Sequence, residues 1–177
     1  MQIYHFLLTA ALLSGSLVAA CTQVPSDRPH CANTEFDQKV AGTIGFTVPT
    51  IGVQELTVSK SQYLIFDARE WEEFQVSHIP GARYLGYDDF QLTRLKGVRK
   101  DQPIVLYCSI GYRSEKIGEK LRNLGYTEVY NLYGSLFEWV NQGHPVEDGQ
   151  GNRTNKVHTY NRQWSKWVDD QAAEKVW

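Results

Sequence analysis

"IVLYCSIGYRSEKIGEKL", residues Ile104–Leu121, joins an apolar run to an amphipathic segment through a glycine-containing turn. The run that ends at Cys108 is about six residues long and contains Ile, Val and Tyr, which favours a buried strand over a helix. The segment after it predicts a helix with Ser114 as its N-cap. Gly118 would let this helix lie close to a sheet, because the apolar face is formed by its neighbours Ile117, Leu121 and Leu124.

Strands and short helices alternate on both sides of this stretch. "YLIFDA" (Tyr63–Ala68) predicts a buried strand that ends in an acid, and "REWEEFQVS" predicts a short helix. A turn at Pro80-Gly81, a strand around Arg83–Leu85, a strand in "EVYNLYG" and a helix in "SLFEWVNQG" follow the same order. Such an order predicts an α/β fold whose mostly parallel β-sheet is flanked by helices, in a domain over residues 48–147.

Composition and charge exclude some partners. The chain has 177 residues, enough for one domain, and a net charge of −2 from 18 basic and 20 acidic residues. No strongly basic patch or charge block suggests a nucleic-acid partner, so none is expected.

The N-terminus is typical of an export signal. "MQIYHFLLTAALLSGSLVAAC" contains no Asp, Glu, Lys or Arg, and its apolar part is too short to span a bilayer. Residues 1–20 are therefore predicted to be a signal peptide, and the protein is expected to be exported to the periplasm. "LVAAC" also resembles the lipobox of bacterial lipoproteins, which makes Cys21 a lipidation candidate and the membrane a partner through that lipid. Ordinary cleavage, lipidation and an uncleaved apolar helix all stay open.

The three cysteines are Cys21, Cys31 and Cys108. If Cys21 carries a lipid, Cys31 is left over; if it does not, the two could form a disulfide. Residues 21–47 are interpreted as a tether and the lead-in to the domain. Residues 148–177 are predicted to be a polar linker and a helix that presents Trp164, Trp167 and Val168 on one face, packed on the domain or against a partner.

Cys108 is the candidate nucleophile. It follows a predicted strand, and ligands of α/β sheets gather at the carboxyl ends of strands. The turn over residues 109–113 would point backbone N–H groups at an anion near the positive end of a helix dipole, which favours a thiolate. Gly111 can take a positive φ at little cost, and Arg113 adds a positive charge suited to oxyanions.

These motifs together resemble the rhodanese-like (sulfurtransferase) domain family. "FDAREWEEFQVSHIPGA", "YCSIGYRS" and "LRNLGYTEVYNLYGSLFEWVNQGHPV" match its successive signatures, in order, over Tyr63–Val146. The resemblance implies a three-layer fold, and together with the predicted export signal it suggests an exported, single-domain bacterial type. Cys-x4-Arg from Cys108 to Arg113 is one residue shorter than the Cys-x5-Arg loop of arginine-dependent phosphatases, so phosphatase or arsenate chemistry is less favoured.

The resemblance also implies a mechanism. A thiolate at Cys108 takes a sulfur from thiosulfate or a similar small anionic donor and passes it, as a persulfide, to a thiol or cyanide. The implied substrate-binding residues are Ser109, Ile110, Gly111, Tyr112 and Arg113. No metal or organic cofactor is implied, and the acceptor thiol could be a small molecule or a protein.

Two more residues and one alternative complete the interpretation. Asp67 and Arg69 are expected to give structural support through an ion pair. Arg113 could contact the substrate or brace the loop against an acid. The alternative function is a rhodanese-fold sulfur carrier or protein-binding module with little turnover.

Overall fold

A computed structural model describes residues 24–177. The helices are α1 (Thr34–Ala41), α2 (Val53–Ser59), α3 (Trp71–Val76), α4 (Tyr112–Asn123) and α5 (Ser135–Asn141), with 3-10 turns at Lys60–Gln62, Leu92–Leu95 and Ser165–Trp167. The strands are β1 (Thr50–Ile51), β2 (Leu64–Asp67), β3 (Arg83–Tyr84), β4 (Ile104–Tyr107), β5 (Val129–Leu132), β6 (Val146–Glu147), β7 (Arg153–Thr154), β8 (Lys156–His158) and β9 (Glu174–Val176).

The first five strands form one parallel sheet in the order β1-β5-β4-β2-β3. β4 lies in the centre and is buried along its whole length. Its residues alternate between two apolar cores: Ile104 and Leu106 face one core, and Val105 and Tyr107 face the other. Helices cover both faces, so the predicted three-layer α/β fold is confirmed.

α4 covers one face of this sheet at close range. A Cβ added to Gly118 would lie 2.9 Å from Val48 Cγ2 and 3.4 Å from Leu106 Cδ1, so the close approach that was predicted there is present. The predicted N-cap is wrong. The helix begins at Tyr112 after Gly111, and Ser114 is buried, with its hydroxyl turned to a neighbouring strand.

The lead-in is more than a tether. Its residues Thr34–Ala41 form α1, whose Phe36 and Val40 are buried in the main core. Asn33 Oδ1 accepts a hydrogen bond from the Phe36 N–H at 2.9 Å and so caps the helix. A cap residue followed by apolar residues four positions apart is a sequence signal for a helix, so α1 could have been predicted from the sequence.

The predicted C-terminal helix is also wrong. Residues 148–177 contain β7, which pairs antiparallel with β6, and the parallel pair β8–β9. They also contain a single 3-10 turn at Ser165–Trp167. Side chains of Asn161 and Asp169 accept backbone N–H groups on either side of that turn, which stabilises turns in place of a helix. The apolar residues still pack on the domain: Val168 is buried, and Trp164 and Trp167 are partly buried against the core.

Candidate active site

Cys108 lies directly after β4, at the carboxyl end of the central strand. A short turn leads from it into α4, and Gly111, the N-cap, has a φ of 119°, in the region that favours glycine. The Gly111 N–H donates to Cys108 Sγ at 3.1 Å. The sulfur therefore lies at the N-terminus of a twelve-residue helix, where unpaired N–H groups and the helix dipole favour negative charge.

Buried polar side chains hold this turn in place. Ser114 Oγ donates to Asn131 Oδ1 at 2.7 Å, and Asn131 Nδ2 donates to the Gly111 carbonyl at 2.9 Å. From the start of α5, Ser135 Oγ accepts a hydrogen bond from the Cys108 N–H at 3.2 Å. Because all of these groups are buried, the loop geometry is set before any substrate arrives.

Arg113 points across the site to α3. Its guanidinium donates to both carboxylate oxygens of Glu73, at 2.5 and 2.9 Å, and to Ser109 Oγ at 3.0 Å. Glu73 also accepts the Glu70 N–H at 3.1 Å in a capping box of α3. Of the two roles considered for Arg113, the structure shows the second, in which Arg113 braces the loop against an acid.

The electrostatics of the loop act on the thiol. Burial alone would raise the pKa of Cys108, but the positive charge of Arg113 and hydrogen bonds from Ser114 and Gly111 outweigh it. The pKa of Cys108 therefore lies below its ordinary value. Cys31 is the contrast: burial and the nearby Glu138 raise the pKa of its thiol far above the ordinary range.

Asp67 and Arg69 form the predicted ion pair. The fully buried guanidinium of Arg69 donates to Asp67 through Nε at 3.0 Å and Nη2 at 2.7 Å. Nη2 also reaches the Ser77 carbonyl at 2.5 Å, just past the end of α3. The pair thus ties the end of β2 to the far end of α3, the helix that carries Glu73.

A cavity of about 400 Å³ opens above Cys108. Its lining contains Thr43, Glu70, Tyr87, Asp88, Cys108, Ser109, Ile110, Tyr112, Arg113, Tyr160 and Trp164. Five of the six predicted loop residues line it, while the backbone of Gly111 lies behind the sulfur. Ile110 and Ser109 are themselves mostly buried.

Sequence reasoning missed the other wall residues. Glu70, Tyr87 and Asp88 follow the ends of β2 and β3, and a search just past each strand end could have found them. Tyr160 and Trp164 come from the tail after β8, and no periodicity or motif there points to the site.

The order of these elements matches a known domain. The family model described as "Rhodanese-like domain" matches residues 53–142, just over half of the chain. This protein belongs to the rhodanese-like domain family. The matched stretch contains Cys108, its loop and the bracing residues Glu73 and Arg113.

Two curated proteins are similar to this chain in sequence, and one solved structure is similar in fold. The chain is 34% identical to YqhL of Bacillus subtilis, across 51% of this chain and 71% of that protein. It is 30% identical to the thiosulfate sulfurtransferase GlpE of Coxiella burnetii, across 54% of this chain and 87% of that protein. The crystal structure of the BH2092 protein of Bacillus halodurans superposes with a TM-score of 0.53 at 21% identity, covering 57% and 77% of the two chains, which is likeness of fold.

Other predicted features lie outside this rhodanese-like core. Cys21 and the predicted signal over residues 1–20 fall outside the described residues, as does the question of a Cys21–Cys31 bond. Within residues 24–177, no helix is long and apolar enough to cross a membrane. The same residues contain no cluster of three His, Cys, Asp or Glu side chains placed to bind a metal ion.

Proposed function

We propose that this protein is a sulfurtransferase that moves a sulfane sulfur from a small donor to a thiol or cyanide through a persulfide on Cys108. The observation that carries the proposal is the position of Cys108 Sγ, held by the Gly111 N–H at the start of α4 and lining a cavity. A lowered pKa supplies the thiolate that such an attack needs.

The first half-reaction loads the enzyme. The thiolate attacks the outer sulfur of the donor, a sulfur–sulfur bond forms to Cys108, and the donor's own sulfur–sulfur bond breaks. The bonding electron pair leaves with sulfite when the donor is thiosulfate. The negative charge moves from Cys108 Sγ to the new outer sulfur, within reach of the N–H groups at the start of α4.

The second half-reaction returns the free thiolate. An acceptor thiolate or cyanide attacks the outer sulfur, and the bond between the two sulfurs of the persulfide breaks. Cys108 leaves with the electron pair as a thiolate, so no oxidant or reductant is consumed. Release of the first product before the acceptor binds predicts ping-pong kinetics.

The position of Arg113 supports sulfur transfer over phosphoryl transfer. Its guanidinium is engaged by Glu73 through two hydrogen bonds, whereas phosphate binding would need those donors for the substrate. The four-residue spacing between Cys108 and Arg113 agrees with this preference.

Intact mass spectrometry of the full chain tests the proposal. After treatment with thiosulfate or an organic thiosulfonate, we expect a mass gain of one sulfur atom, reversed by cyanide with release of thiocyanate. Cys108→Ser should abolish the gain, and Cys31→Ala, the matched control at the other described cysteine, should keep it.

Two results would contradict sulfur transfer by this site. One is a Cys108→Ser protein that still gains sulfur. The other is the absence of any sulfur adduct with every donor tried, which would favour the protein-binding module.

A further inference from the structure

We infer that the cavity above Cys108 selects a sulfur donor with an apolar carbon body and no more than one negative charge, and that the tail after β8 determines this selectivity. The inference rests on the proposed sulfur transfer and names its substrate class. Three observations carry it: the aromatic walls, the charges of the lining and the conformation of Tyr160.

Aromatic rings form much of the cavity wall. Tyr87 and Tyr112 come from the domain, and Tyr160 and Trp164 come from the tail, outside the family-matched stretch 53–142. An inorganic anion such as thiosulfate has no apolar surface for these rings to cover. A carbon body in the same place would bury apolar area on both partners, which is favourable.

The charges of the lining are mostly negative. Glu70 and Asp88 are acidic residues of the cavity wall. Among the described residues that line the cavity, Arg113 is the basic one. Arg113 is compensated by Glu73 in direct contact and by Glu70 Oε1 at 3.8 Å. A dianion would therefore meet carboxylates around the cavity, whereas a single negative charge at the reacting sulfur is met by the N-terminus of α4.

Tyr160 is held in an unusual conformation. Its φ is 67°, in the left-handed region that favours glycine over residues with a side chain. The Tyr160 N–H donates to His158 Nδ1 at 3.1 Å, and the ring lies 5.4 Å from the Arg113 guanidinium. Strained residues of this kind persist where the surrounding structure fixes them, often at ligand-binding sites.

The tail itself is fixed on the domain. β8 packs against α3, Asn161 Oδ1 accepts the Trp164 N–H at 3.1 Å, and Lys39 Nζ lies 5.1 Å from the centre of the Trp164 ring. The aromatic wall is thus built before the donor binds. The conformational entropy lost in ordering these rings is already lost on folding, so it does not reduce the affinity for the donor.

Three donors separate the effects of charge and of carbon body. Thiosulfate is a dianion, and methanethiosulfonate and benzenethiosulfonate are monoanions that differ only in their carbon group. With either thiosulfonate, Cys108 thiolate takes the outer sulfur, the donor's sulfur–sulfur bond breaks, and its electron pair leaves with the sulfinate. Cyanide removes the sulfur from Cys108 as thiocyanate in every case.

The test compares kcat/KM of the full chain and its variants, each expressed relative to the unsubstituted protein for the same donor. Tyr160→Ala should lower kcat/KM for benzenethiosulfonate by roughly tenfold, the value of one aromatic contact, and leave that for thiosulfate nearly unchanged. Tyr160→Phe, which keeps the ring, should retain the rate. Trp177→Ala, at an exposed aromatic of the same tail away from the cavity lining, should have no effect on any donor.

The outcomes are distinct. Equal losses for all three donors in Tyr160→Ala would overturn the inference, because they would indicate an effect through Arg113 or folding. A Glu70→Gln variant with no gain in kcat/KM for thiosulfate relative to the thiosulfonates would overturn the charge argument. If no donor loads Cys108, the proposed function fails, and the inference fails with it.

Discussion

The ion pair between Arg113 and Glu73 leads to a prediction with opposite signs for its two partners. Glu73→Gln and Arg113→Gln both break the same bidentate contact, but they leave opposite charges beside Cys108. The first leaves Arg113 without its main counter-charge, so the pKa of Cys108 should fall further. The second removes the positive charge and leaves Glu73 in place, so the pKa of Cys108 should rise.

The cost in stability should be similar for both variants. The side chains of Glu73 and Arg113 are only 4% and 15% exposed, and removing one partner of a buried pair costs about 3–5 kcal/mol. Each remaining partner keeps another contact: Arg113 keeps Ser109 Oγ, and Glu73 keeps the Glu70 N–H. We therefore expect about 2–3 kcal/mol for each variant. For a protein of this size that corresponds to a fall in Tm of roughly 4–12 °C.

The assay is the pH dependence of alkylation by iodoacetamide, which reacts with the thiolate. Cys108→Ser gives the background from other cysteines, and the described one, Cys31, has its pKa raised by burial. The midpoint should move down in Glu73→Gln and up in Arg113→Gln, at similar losses of Tm. Movement of both midpoints in the same direction would refute the electrostatic reasoning and indicate damage to the loop.

The remaining predictions concern the loop, the response to acid and the N-terminus. Ser114→Ala leaves Asn131 Oδ1 buried without its donor, which should cost about 1–3 kcal/mol in chemical denaturation. Burial raises the pKa of Glu73, but Arg113 and Arg69 outweigh it and the pKa lies below its ordinary value of 4.5. Its stabilising contribution should thus be complete above about pH 4.5 and be lost as the pH falls through the folded-state pKa, a loss that Tm measurements should find reduced in Glu73→Gln. If residues 1–20 are an export signal, cell fractionation should find a processed chain outside the cytoplasm, and Cys21→Ala should release it from the membrane only if a lipid is attached. An unprocessed cytoplasmic chain would contradict export.

Periodicity and turn residues were enough to predict four of the five strands of the main sheet and the position of Cys108 at the end of its central strand. The residues before Cys108 form a short continuous apolar run, as in a buried strand, whereas the apolar residues after it recur at helical spacing. The helix forms its backbone hydrogen bonds internally, and the strand forms them with neighbouring strands. The family motifs agreed with this order of elements over Tyr63–Val146, whereas β1 and α2 lie before that stretch and were not predicted. This part of the molecule is one in which local preference and tertiary packing agree.

The features that could not be predicted depend on contacts between distant residues. The ion-pair partner of Arg113, Glu73, lies 40 positions earlier in the sequence. The residues next to Arg113 in sequence do not indicate whether its guanidinium binds an acidic side chain or a substrate oxygen. Ser114 looks like an N-cap by type, but the left-handed Gly111 moves the helix start forward and turns the hydroxyl to Asn131. In the tail, tryptophans at helical spacing reach the core from a single turn, because tertiary contact overrides propensity.

The contact between the lead-in and the tail has a consequence for where this protein can be cut. Phe36 of α1 lies 5.6 Å, centroid to centroid, from Trp167 and 6.4 Å from Phe137, so rings from before, within and after the family-matched stretch share one cluster. A fragment trimmed to residues 53–142 would lose two of these rings and expose the third. We therefore expect the minimal folding unit of this chain to be longer than the stretch that identifies its family and to include α1 and the tail.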